Sequence, residues 1–119
     1  MEIRLELSHV DYQCDGPVAV ICLNQPESGN TLSRQMALDL FAAADHVQND
    51  DAIRAVVFSA HGPMFSFGGD LKEFKSFGNN SAQLVTIADQ WHKAQQMLLT
   101  MPKPVVVGVN GMAAAAVSP

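Results

Sequence analysis

The sequence has 119 residues, 48% of them hydrophobic, and carries a formal net charge of −5. That length allows at most one domain, with enough apolar residues for a real core. The acidic balance and the lack of a basic stripe argue against a nucleic-acid partner, and no apolar run is long enough to span a membrane.

The N-terminus, Met1-Glu2-Ile3-Arg4-Leu5-Glu6, has neither the apolar stretch of a signal peptide nor the Arg/Ser bias of a transit peptide, so a cytoplasmic protein is expected. Cys14 and Cys22 form no C-x-x-C pair. Two buried, reduced thiols suit that compartment better than a bond, although spacing alone leaves a disulfide open. Arg34, Arg54, Lys72, Lys75 and Lys103, five of the seven Lys and Arg residues, are the cations expected to serve an anionic ligand, with backbone N–H groups to help them.

Ile3, Leu5 and Leu7 alternate with polar residues as in a half-buried strand. With the turn Asp15-Gly16-Pro17 and the apolar run Val18–Leu23, residues 2–23 read as a β-hairpin. Asn24 to Asn30 is a loop by composition. Thr31 or Ser33 can cap the helix that follows, with Met36, Leu40, Ala43, Ala44 and Val47 on one face and Asn49-Asp50-Asp51 at its end. A second polar break, Gly78 to Ser81, starts a long helix to about residue 101. Its stripe is Leu84, Ile87, Ala88, Trp91, Ala94, Leu98 and Met101. Pro102 and Pro104 stop that helix, and Val105–Val109 reads as a further buried strand. The order β-β-α-β-α-α-β predicts an α/β fold with partly parallel pairing.

The central stretch is Ile53 to Phe74. Ile53–Ser59 is an apolar, β-branched run expected to lie buried on both faces. His61-Gly62-Pro63 breaks it. Gly68-Gly69 lets the backbone turn, and Asp70 with Glu73 three residues on is a capping-box helix start. Strand, glycine turn and helix start aim free N–H groups at one point, where an anion or a polarised carbonyl could be held. A plain turn and cap is the simpler reading of those residues taken alone.

Four stretches in this order and spacing resemble the crotonase family, the enoyl-CoA hydratases and isomerases. They are Val18 to Glu27 with Asn30-Thr31-Leu32, Ile53–Ser59, Phe65 to Lys72, and Lys103 to Gly111. The resemblance implies a ββα-spiral core that binds an acyl-CoA thioester and assembles as a trimer or hexamer. It implies no cofactor, since CoA enters as part of the substrate, and no metal. By position it makes the Gly69 N–H one oxyanion donor and places Ala116 at the second. It also lines the CoA path with Glu27, Ser28, Gly29, Phe67, Asp70 and Leu71, with Lys72 near the phosphates.

Three departures from the family pattern stand out. Phe67 occupies a position often held by a small residue, and Gln25 one often held by a basic residue. Ala115-Ala116-Val117 stands where the family has a glycine run, so a methyl group intrudes at the second donor. None of the four glutamates, Glu2, Glu6, Glu27 and Glu73, falls where the family's acid/base carboxylates lie.

The chain therefore reads as a single incomplete domain over residues 1–119, a crotonase-like fold cut short on its C-terminal side. A one-base frameshift would produce its ending. GGC GGC GGT TTC ACC, encoding Gly-Gly-Gly-Phe-Thr, read one base late, gives Ala-Ala-Val-Ser-Pro. The expected function is hydration or isomerisation of an enoyl-CoA through a stabilised enolate, with these residues weakly active or inactive. A non-catalytic binding or assembly module, or the remnant of a disrupted gene, is the alternative.

Elsewhere the plainer readings dominate. His9, His46, His61 and His92 show no metal-ligand spacing, and His46 and His92 are expected at the surface or an interface. Ser66, His61 and Asp70 lack the nucleophile elbow of a hydrolase triad. Trp91 and the nearby methionines suit core packing.

Overall fold

A computed structural model describes residues 7–62, 71–76, 78 and 81–108. Among these residues four strands, β1 (Val10–Asp15), β2 (Val18–Leu23), β3 (Ala55–Ala60) and β4 (Val105–Val107), form one sheet in that order. β1 and β2 are antiparallel, whereas β2–β3 and β3–β4 are parallel. The helices are α1 (Arg34–Asn49), α2 (Leu71–Ser76) and α3 (Ser81–Thr100), so the expected order of elements is observed.

The hairpin is real, its first described strand starting at Val10 after a bend at Ser8 and His9. Ile3 and Leu5 lie outside the described residues. Asp15 pairs with Val18 across a two-residue loop, and Gly16 at φ 58 supplies the positive dihedral that such hairpins favour. Register then puts Val10, Tyr12, Ala19, Ile21, Leu23, Val56, Phe58 and Ala60 on one buried face.

That face is covered by α1 and α3. α1 starts where Ser33 Oγ accepts the Met36 N–H at 3.1 Å, which satisfies a donor no helical carbonyl can reach. Met36, Leu40, Ala43, Ala44 and Val47 are all fully buried, as their spacing predicts. α1 ends where Lys103 Nζ donates to the Val47 and Asp50 carbonyls at 2.6 and 2.7 Å. That ammonium suits the negative end of the helix. Lys103 is therefore committed to the fold and is not a spare cation for a ligand.

The stripe on α3 is narrower than its sequence suggests. Ile87, Trp91, Ala94 and Met101 are buried and Leu98 partly so, while Leu84 and Ala88 are exposed.

Two strand expectations need correcting. β3 alternates between buried and half-buried residues instead of lying buried on both sides, because α1 and α3 pack on the same face of the sheet. β4 is largely exposed, with Val106 at 63% and Val107 at 50% accessibility, as its described neighbour is β3 alone. The two cysteines are both free, Cys22 buried and Cys14 half-buried.

Candidate functional site

Leu23 and Ala60 are register partners, so β2 and β3 end level with one another. In parallel pairs ligands gather outside these carboxyl ends, where connecting turns meet. Two such turns meet here. After β2 comes Asn24-Gln25, a 3-10 turn over Pro26–Ser28, then Gly29 and Asn30. After β3 comes His61-Gly62.

The first turn carries three of the residues expected to line the CoA path. Glu27 and Ser28 are exposed and Gly29 is buried. Gly29 sits at φ 69 and donates its N–H to the Pro26 carbonyl at 3.1 Å. Ser28 Oγ donates to the Gln25 carbonyl at 3.1 Å, which tightens the same turn. The Glu27 carboxylate is thus presented to solvent by a compact loop.

A polar cluster fastens this turn to the strands. His61 Nε2 lies 2.9 Å from Asp11 Oδ2, and Asn24 Nδ2 donates to Asp11 Oδ1 at 3.2 Å. His61 therefore pairs with a residue of β1. Ser66 and Asp70, its partners in a paper triad, lie outside the described residues. Asn30 is fully buried at φ 53, a left-handed conformation that asparagine tolerates better than most residues.

α2 begins at Leu71, and its backbone runs through Lys72, whose side chain is outside the described set. Glu73, expected to close a capping box with Asp70, gives Oε1 to the Arg34 N–H at 2.7 Å. It caps the start of α1, a structural role. Gly69, Phe67, Asp70 and Ala116 also fall outside the described residues. Among the candidate site residues, the structure places the turn Glu27–Gly29 and the α2 backbone from Leu71.

Other polar groups belong to the fold. Asp39, only 4% exposed, accepts from the N–H groups of Ser8 and His9 at 3.1 and 2.7 Å and from Gln35 Nε2 at 2.6 Å. Its helical position among apolar residues gave no hint of this. Tyr12 OH lies 2.7 Å from Nδ1 of half-buried His46, with the rings edge-on, and Cys14 Sγ donates to it at 3.6 Å. Burial, then Cys14 and Asp50, push the Tyr12 phenol well above its ordinary value of 10.0. His46 is thus a packing partner rather than a free surface residue. His92 lines an open groove with Phe41, Lys93, Gln96 and Met97 between α1 and α3, remote from both turns in sequence. No three potential metal-binding side chains gather among the described residues.

The class is an α/β protein with a polar turn cluster at the carboxyl end of a parallel strand pair. A family model described as enoyl-CoA hydratase/isomerase matches residues 13–117, and the chain belongs to that family. It is 32% identical over 114 residues to a trans-2-decenoyl-[acyl-carrier-protein] isomerase of Streptococcus mutans, covering 94% of this chain and 43% of that protein. Among solved structures, human enoyl Coenzyme A hydratase domain-containing protein 3 superposes with a TM-score of 0.80 at 27% identity, covering 87% of this chain and 41% of that one. An enoyl-CoA hydratase/isomerase from Mycobacterium paratuberculosis gives 0.80 at 25% identity, covering 90% and 43%. The fold is crotonase-like, and the chain spans about two fifths of the length of these relatives.

Proposed function

We propose that these residues form the acyl-CoA-holding part of an enoyl-CoA hydratase or isomerase. The observation that carries this reading is the family match across residues 13–117, together with a compact turn presenting Glu27 and Ser28 at the carboxyl end of β2. In this reading Glu27, Ser28 and Gly29, with Phe67, Asp70 and Leu71, line the adenine and pantetheine path. Lys72 stands near the phosphates. The Gly69 N–H, with that of Ala116, steadies the thioester oxygen as an enolate develops. A fixed donor in a dry site contributes roughly 3 kcal/mol to such an oxyanion.

Proton transfer at the α-carbon needs a carboxylate acid or base that reaches the substrate. Glu73 is committed to the start of α1, and in this reading Glu27 belongs to the CoA path. These 119 residues are therefore proposed to hold an acyl-CoA more readily than to turn one over. A complete member would assemble as a trimer or hexamer in the cytoplasm.

Hydration of crotonyl-CoA by the 119-residue chain, followed by loss of the conjugated thioester absorbance, tests this. The expected rate is lower than an ordinary hydratase's by roughly 10²–10⁴-fold for each missing acid or base. Turnover at an ordinary hydratase rate would refute the proposal.

A further inference from the structure

Two turns distant in sequence meet at the carboxyl end of the sheet, and side chains join them. The strand ladder ends where the His61 N–H donates to the Leu23 carbonyl at 2.8 Å. Beyond it, Asn30 reaches both ways. Its Oδ1 accepts the Gln25 N–H at 2.7 Å, and its Nδ2 donates to the His61 carbonyl at 2.9 Å. A carboxamide is the group this place requires, because it offers an acceptor and a donor at once. An ionised carboxylate would set negative charge against the His61 carbonyl, and an aliphatic side chain would satisfy neither group.

A second contact, independent of the first, joins the same turns. A Cβ on Gly62 would stand 2.7 Å from the Pro26 Cβ, and Gly62 itself sits at φ 89. The two turns therefore approach as closely as a missing side chain permits.

We propose that Asn30 is a positioning residue that locks the turn of residues 25–30 to the His61-Gly62 turn, so that both move as one body at the edge of the acyl-CoA site. The role in substrate binding rests on the functional reading above, while the mechanical coupling does not. Locking holds Glu27–Gly29 at a fixed distance from the end of β3. The CoA moiety then meets a preformed wall instead of ordering it on arrival.

Amide hydrogen exchange on the 119-residue chain tests the coupling from both sides. Asn30→Gly keeps a residue at home at positive φ and removes the carboxamide. Exchange at Ala60 to Gly62 should quicken roughly tenfold or more, the usual effect of losing a buried hydrogen bond, while Val20 and the α1 amides stay protected. Gly62→Ala pushes on Pro26 and should quicken exchange at Gln25 and Gly29. Effects confined to the mutated turn in either variant would overturn the proposal, and either variant decides it if the other fails to fold. Butyryl-CoA affinity, read by calorimetry, should fall roughly tenfold in Asn30→Gly with core protection unchanged. Unchanged affinity in a variant whose turns have loosened would remove the binding role. A wild-type chain that binds no butyryl-CoA would instead refute the functional reading, and the exchange data would still decide the coupling.

Discussion

The covered face of the sheet and its carboxyl end are held by opposite means. Under α1 and α3, the side chains are apolar and interchangeable in kind. Leu40, Val47, Ile21 and Val56 are fully buried, and their contribution scales with the area they remove from water. At the carboxyl end, Asn30, His61, Asp11 and Asn24 are joined by directed hydrogen bonds. The first arrangement resists unfolding. The second fixes the relative placement of turns, which is what a binding site requires.

Substitutions can break that contrast in order of size. Leu40→Ala should cost about 2–5 kcal/mol in urea unfolding, since it leaves a cavity between α1 and the sheet. Lys103→Met should cost about 1.5–3 kcal/mol by stripping the end of α1 of two charge-assisted bonds, measured in the same way.

Tyr12 sharpens the contrast through pH. Its phenol is raised above the ordinary value of 10.0, so above that pH the unfolded chain loses a proton that the folded chain keeps. Stability is whole below pH 10 and should fall above it by up to about 1.4 kcal/mol per pH unit. Tyr12 is the single tyrosine, so tyrosinate absorbance should appear only with unfolding, and Tyr12→Phe should remove this part of the alkaline loss. His61→Ala, which breaks an exposed pair at 2.9 Å, should cost under about 1 kcal/mol, because solvent screens that pair.

The same contrast explains what was legible in the sequence. Helix periodicity announced Met36, Leu40, Ala43, Ala44 and Val47, because burial of one face repeats every turn. The α1 cap, narrowed to Thr31 or Ser33, and the Gly16 turn were legible because local backbone geometry demands those residue types. Solvent exposure of β4 was not, since a run of valines looks alike on a covered or an open strand. Nor were the long-range polar bonds. Nothing in the spacing of Asn30 and His61, or of Asp39 and Ser8, marks them as partners, and Lys103 looked free until α1 was seen to end beside it.

Amide chemical-shift mapping of the 119-residue chain during titration with butyryl-CoA tests most directly whether an acyl-CoA sits against the turn of residues 25–30. Saturable shifts centred on Glu27, Ser28 and Gly29, with His61 and Gly62 following, are the predicted result. Shifts centred instead on Phe41, His92 and Met97 between α1 and α3, or no saturable binding at all, would contradict it.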